Sequence, residues 1–457
     1  MTDENGNDPF RDYKKKMIDP VSNSFCAAKW LNATIWLNSG ETTSCHHPPS
    51  HRIDPDEIAI NPSAIHNTQY KKNVRQMMLK GERPSECSYC WRVEDFERNN
   101  ISDRVYKTMI YDDQSVKNIA TAPWDDNVNL QTLEIAFGRA CNFGCSYCNP
   151  AFSTTWVKDI KDNGVYTDLD LGGQRHYANT ADWADRGGRH EEDNPYIQAF
   201  WKWWESDLKN TLKELRITGG EPLMQPSVWR LFDWFADNTQ SNMDFVINSN
   251  LVPEKPATMD RLIAASHGVK NFQLYTSNES VGKHSEYIRD GMVYDVWKRN
   301  LVRLIEEGNV QRTHCMMTIN TLCLASITEF LDEMLELRDI YGEKSPRLSV
   351  NIMRYPSFQT IPLMPVDLKQ ICHEKLATWL DSRKSNSGLY QREIHQIERL
   401  IDYLDIVNTP DSDEIFVKTE NSFPKEFISF FQQYDRRRGH NFVETFPMFA
   451  PWYNESK

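Results

Sequence analysis

The chain has 457 residues, 39% hydrophobic and 26% charged, with 12% aromatic content and 14 tryptophans. That leaves room for two or three domains around a sizeable core and excludes wholesale disorder. A formal net charge of -13 argues against a chain-wide grip on nucleic acid, because phosphate binding rests on Lys and Arg.

No apolar run reaches the length that crosses a bilayer, so membranes are not an expected partner. The opening MTDENGNDPFRDYKKK lacks the basic-then-apolar order of an export signal. A reducing cytoplasm is the expected location. There, 10 cysteines point to metal or redox chemistry and not to a disulfide framework.

In chain order, residues 1–125 read as a loop-rich, cysteine-bearing domain of short helical and hairpin segments. Between Cys26 and Cys45, thirteen residues precede Gly40 and four follow it. The alternation in ATIWLNSGETTSC predicts a hairpin turning near Asn38-Ser39-Gly40. ECSYCW then supplies Cys87 and Cys90. Four thiolates in two local groups fill a closed site, and zinc or an iron–sulfur cluster satisfies that arithmetic. His46 and His47 are read as structural or solvent-facing neighbours, although both are potential ligands.

From about residue 130 the pattern changes. Apolar stretches at 132–137, 214–219, 244–250, 271–277, 314–320 and 347–353 alternate with amphipathic ones such as WRLFDWFADN and VYDVWKRNLVRLIEEG. This rhythm predicts parallel β/α units. Six strands are too few for a complete eight-stranded barrel, so the expected fold is α/β, a partial (β/α)6 TIM-like barrel over 126–360. An insertion rich in Asp, Asn, Gly and Arg interrupts it at 160–200, and a helical extension, 361–457, follows. The spacing of Trp201, Trp204, Leu208, Leu212 and Leu215 predicts a helical core face.

RACNFGCSYCNP directly follows the first of these strands and carries Cys141, Cys145 and Cys148 in a C-x-x-x-C-x-x-C spacing. Thiolates suit zinc, copper(I) or iron–sulfur centres. A four-iron cubane normally takes one cysteine per iron, so three ligands leave one iron open to a chelating molecule. Zinc with a distant fourth ligand is the alternative. One strand later, RITGGEPLM places Gly219, Gly220, Glu221 and Pro222 at a strand end. Paired glycines allow close approach to the backbone, and Glu221 offers an acceptor for an ammonium group. Cys315, Cys323 and Cys372 sit among apolar neighbours and read as small buried hydrophobes.

With these motifs the sequence resembles the radical S-adenosylmethionine (SAM) enzymes, whose cysteine motif carries an aromatic before its last cysteine, here Tyr147. The resemblance implies that Cys141, Cys145 and Cys148 hold a [4Fe-4S] cluster. Its open iron then chelates the amino and carboxylate groups of SAM. GGEP receives the amino group, Asn248 and Asn250 lie where the third strand passes the cofactor, and Ser277 and Arg289 match further cofactor-contacting positions. In SNESVGKHSEYIR, Glu279 and Ser280 stand where the family usually has Asp-Gly.

The C-x13-G-x4-C arrangement resembles the first half of SPASM and twitch modules, here placed before the barrel, and YDRRRGHNF resembles the tails of such enzymes. This implies a second, auxiliary [4Fe-4S] cluster on Cys26, Cys45, Cys87 and Cys90. The implied activity is an oxidoreductase-type one: reductive SAM cleavage to a 5′-deoxyadenosyl radical that abstracts hydrogen from a peptide, a protein or a small metabolite. A low-potential donor such as flavodoxin or ferredoxin would feed it. The alternative is a zinc-stabilised binding or scaffold protein with an inert triplet. No catalytic acid or base is assigned; Tyr275, Asn320 and Arg354 lie near strand ends, as cavity-facing or packed residues.

Overall fold

The computed structural model describes residues 8–96, 100–169, 177, 193–384, 388–405 and 423–455. Most of the expected insertion at 160–200 therefore lies outside the described residues. The chain is mixed α/β and divides into two compact units, Met1–Gly138 with Gly187–Gly219, and Arg139–Arg186 with Gly220–Lys457. Among the described residues no helix is long and apolar enough to cross a membrane.

In the first unit, β1 (Asn32–Trp36) alternates half-buried Asn32, Thr34 and Trp36 with buried Ala33 and Ile35. It pairs antiparallel with β2 (Glu41–Thr43), which pairs with β3 (His51–Arg52). The hairpin turns where the alternation predicts. Gly40 has φ +68°, and a Cβ there would lie 2.2 Å from the Tyr196 ring, so only glycine fits.

On its other edge β1 runs parallel to β4 (Thr132–Ala136), which runs parallel to β5 (Glu214–Thr218). That pairing was not foreseen, because alternation shows that a strand exists but not which strand lies beside it. The helix Pro195–Ser206 buries Trp203 and Trp204, but it ends before Leu208, and Leu215 belongs to β5. The helical spacing expected across 201–215 is thus interrupted. Phe25, Trp30, Met78, Trp91 and Val105 form a core cluster that also contains Cys26, Cys87 and Cys90.

In the second unit, β6 (Asp244–Ser249), β7 (Phe272–Ser277), β8 (Arg312–Ile319) and β9 (Arg347–Ile352) pair in parallel in sequence order. Helices Ala257–Ser266, Tyr294–Glu307 and Ile327–Tyr341 connect them, each burying an apolar face such as Leu301, Leu304 and Ile305. All six strands read from the sequence are present within two residues of their expected limits. Helices Val366–Arg383, Gln391–Leu404 and Phe423–Arg438 follow. The active ends of parallel strands are their carboxyl ends, and the segments after β6 and β7 carry expected site residues.

Candidate metal centres

The cysteine triplet lies on a loop whose peptide groups are tied down from outside it. The Gly144 and Ser146 N–H groups donate to the carbonyls of Asp290 and Ile288, each at 2.7 Å. Thr155 Oγ1 donates to Cys141 O (2.7 Å), Ser153 Oγ to Phe143 O (2.7 Å) and Tyr434 OH to Gly144 O (3.0 Å). Trp156 Nε1 donates to Cys145 O (3.0 Å), Gln359 Nε2 to Ser146 O (2.9 Å) and Tyr177 OH to Cys148 O (2.6 Å).

With the carbonyls so occupied, the loop cannot relax into a helix or a strand. It presents its sulfurs on a fixed frame. The Phe143 N–H points at Cys141 Sγ, 3.4 Å away.

Burial pushes the thiols of Cys141 and Cys145 up to about 12 and about 11. Cys148 rises too, through burial and then the charges of Cys145 and Cys141. Cys148 thus feels both other thiols of the loop, and Cys141 feels Cys145. A buried thiolate group of this kind requires a cation to compensate it.

Gly220 and Glu221 abut this loop. A Cβ on Gly220 would lie 2.3 Å from Ala140 O and 2.7 Å from the Arg139 carbonyl carbon. What approaches the glycine backbone is therefore the stem of the cysteine loop. The Glu221 N–H donates to Ala140 O at 2.7 Å.

The buried Glu221 carboxylate accepts from the N–H groups of Leu223 (3.1 Å) and Asn250 (2.8 Å) and from Ser249 Oγ (2.8 Å). Burial nevertheless raises its pKa to about 6, with those hydrogen bonds opposing the shift. Pro222 opens the tight turn Pro222–Met224. Gly219, at φ +118°, faces Gly138 O in the same manner, 2.6 Å from its built Cβ.

Asn250 Nδ2 donates to Asn142 Oδ1 (2.9 Å), and Asn142 Nδ2 donates to Val252 O (2.7 Å). Asn142 thus couples the motif to the end of β6. It was not singled out in the sequence, although it lies inside the motif.

Beyond β7, Arg289 and Glu279 form a buried ion pair at 2.5 Å. Tyr147 OH donates to the other oxygen of Glu279 at 3.2 Å, and the Arg289 guanidinium sits 5.4 Å over the Tyr147 ring. Ser277 closes β7, half-buried and opposite Met316. Asn248 Oδ1 and Arg289 Nε are buried without a hydrogen-bond partner.

Asn320 caps the turn Leu322–Ala325 through its Oδ1, Tyr275 packs on His314, and Arg354 is exposed. Gln359 had no sequence signal of its own, and Tyr434 was noted only as the start of YDRRRGHNF. Both act on main-chain carbonyls, which leave no motif.

In the first unit, Cys26, Cys45, Cys87 and Cys90 line one pocket with Lys29, His47, Trp91, Asp103 and Arg104. Burial pushes Cys26 up to about 12 and Cys87 up to about 11; it raises Cys90 as well. The charge of Cys45 reaches all three.

Among the described residues, one set of three Cys, His, Asp or Glu side chains has all its ligand atoms within 4.8 Å of one another: His46, His47 and Asp103. The four sulfurs are spread more widely than that. His47 Nε2 is 2.7 Å from Asp103 Oδ2, and the His47 ring stacks on Tyr89.

No protein-family model matches the chain, and no curated protein matches it. Among solved structures it is similar to three crystal structures of SuiB from Streptococcus suis. The one bound to S-adenosylmethionine is 15% identical, over 80% of this chain and 71% of that one, with a TM-score of 0.35. The one bound to precursor peptide SuiA is 15% identical, over 80% and 71%, with a TM-score of 0.37. SuiB alone is 14% identical, over 80% and 70%, with a TM-score of 0.34.

Proposed function

We propose that this chain is a radical SAM enzyme of the partial-barrel type, acting on a peptide or protein, with a small metabolite as the second choice of substrate. The observation that carries the reading is the loop Cys141–Cys148. Its backbone is fixed from many directions while its three buried or half-buried thiols are left for a soft cation.

The residues present fit the implied group. Three sulfurs are one short of a cubane's four corners. The partnerless Asn248 Oδ1 and Arg289 Nε are an acceptor and a donor of the kinds that an ammonium or hydroxyl and a carboxylate require. When bound, the cluster would supply an electron to SAM and so a 5′-deoxyadenosyl radical able to take hydrogen from substrate.

The chain's own work is positional. Glu221 holds Ser249 and Asn250 against the stem of the loop. Arg289, steadied by Glu279 and Tyr147, stands beside Cys145. The low-potential electron donor would be a flavodoxin or ferredoxin, in a reducing cytoplasm where both thiol sets stay available.

We assign Cys26, Cys45, Cys87 and Cys90 to an auxiliary [4Fe-4S] cluster in a twitch-like module. The C-x13-G-x4-C spacing of Cys26 and Cys45, which resembles the opening of such modules, favours iron–sulfur over zinc.

Anaerobic purification tests both assignments. The expected yield is about eight iron and eight sulfide per chain, with reductive cleavage of SAM to 5′-deoxyadenosine that is lost in Cys145→Ala. Product formation that survives Cys145→Ala unchanged overturns the reading, and zinc without sulfide replaces it with a zinc-stabilised scaffold.

A further inference from the structure

We propose that Lys29 is a positioning charge for the N-terminal cluster: its buried ammonium, held by Glu86 beside the Cys87 sulfur, raises the midpoint potential of that cluster. The inference rests on the assignment of Cys26, Cys45, Cys87 and Cys90 as cluster ligands.

Lys29 is 2% exposed, a rare state for lysine unless it is paired. It lies three residues after Cys26 and lines the same pocket as all four cysteines. On one side its charge acts on the Cys87 thiol. On the other it forms an ion pair with Glu86, which is only 9% exposed. Because Glu86 precedes Cys87 in sequence, the carboxylate fixes the ammonium against the neighbouring ligand.

The surrounding charges show why this matters. Lys71, Arg75 and Arg104 are also buried. Arg104 is answered by Glu94. The side-chain partners of Lys71 are the Thr42 hydroxyl, the Thr43 carbonyl and His66. Those of Arg75 are the carbonyls of Lys29 and Asp126, the Asn67 amide oxygen and His66. Neither meets a carboxylate among these contacts.

Uncompensated buried cations are costly. Four thiolates around a dipositive cluster core carry two net negative charges and would offset them. Reduction adds one more negative charge to that core. Nearby cations therefore favour the reduced state, and the cation closest to a ligand sulfur has the largest effect. The step is a one-electron uptake by the cluster, with no proton moved and no bond formed or broken.

The test uses the full chain with Cys141, Cys145 and Cys148 all changed to Ala, so that one cluster gives the signal. The protein is reconstituted anaerobically and titrated with dithionite under electron paramagnetic resonance. Lys29→Met is expected to shift the reduction equilibrium at least tenfold toward the oxidised state, 59 mV for one electron. Lys29→Arg is expected to restore it.

A Lys29→Met protein with full iron and sulfide and the parent's potential overturns the proposal. If Lys29→Met holds no cluster, Glu86→Gln decides. Freeing Lys29 of its counter-charge should then raise the potential, and an unchanged value overturns the role. Failure of the underlying assignment is visible separately, since the parent protein would then carry zinc and no sulfide.

Discussion

Gly220→Ala tests how tightly the GGEP turn is fitted to the cysteine loop. A Cβ at 220 falls 2.3 Å from Ala140 O and 2.7 Å from both the carbon and the oxygen of the Arg139 carbonyl. These are main-chain atoms, so no side-chain rotation relieves the clash, and the stem of the loop must move by roughly 1 Å to reach ordinary contact. That movement also stretches the 2.7 Å bond from Glu221 N–H to Ala140 O.

Overpacking of this kind costs about 1–3 kcal/mol, and the strained hydrogen bond adds about 1 kcal/mol. A total near 3 kcal/mol corresponds to a loss of about 5 °C in melting temperature for a unit of this size. Gly164→Ala is the control. It has φ +78° and ψ 177° with nothing within 4 Å of its built Cβ, so only the cost of that glycine-favouring backbone applies, about 1–3 kcal/mol.

Thermal melts followed by circular dichroism on anaerobically purified protein, with iron content measured alongside, read both variants. Gly220→Ala should lose part of its iron, because the displaced residues adjoin Cys141, whereas Gly164→Ala should keep its iron whatever its melting temperature. If Gly220→Ala melts within 2 °C of the parent and keeps full iron, the fitted-turn reasoning is wrong.

Two further outcomes follow from the same surroundings. Arg289→Met leaves the fully buried Glu279 carboxylate without its cation and should destabilise the chain by about 3–5 kcal/mol in urea unfolding. The double variant Arg289→Met, Glu279→Met should recover most of that, and a double variant no better than the single one would refute the ion-pair account. Burial holds the Glu221 carboxyl at about 6 against an ordinary 4.5, so between those values the folded chain keeps a proton that the unfolded chain has released. Stability is therefore lost as pH rises through that window, by about 2 kcal/mol. In metal-free protein, Glu221→Gln should lack this loss, so the gap between its melting temperature and the parent's should change across that window; a gap that stays constant would count against the shift.

The strands of the second unit were legible because each is a short apolar run bounded by turns and followed by an amphipathic stretch. Cys141, Cys145 and Cys148 were legible because their spacing is local. The bracing of that loop was not. Gln359 and Tyr434 reach it from 213 and 290 residues away, and they bind carbonyl oxygens that any residue could supply. Gly219-Gly220 announced that something comes close to the backbone, but a missing Cβ does not say whether the visitor is a ligand or the chain itself. For Gly220 it is the carbonyl of Ala140.

Charge was the least legible property. In sequence, Lys29, Lys71 and Arg75 look like the surface residues that most lysines and arginines are. Only the fold shows them buried, Lys29 beside four thiols. The triplet has mixed surroundings, with the Arg289 cation the largest charge on Cys145. Cys141 feels the buried carboxylate of Glu221, and Cys145 feels Glu279 and Asp290 as well as Arg289. Anionic neighbours oppose the arrival of an electron, whereas cationic ones favour it. On the proposed reading, then, Arg289 and Lys29 play the same part, each a buried cation steadied by a glutamate beside a ligand thiol.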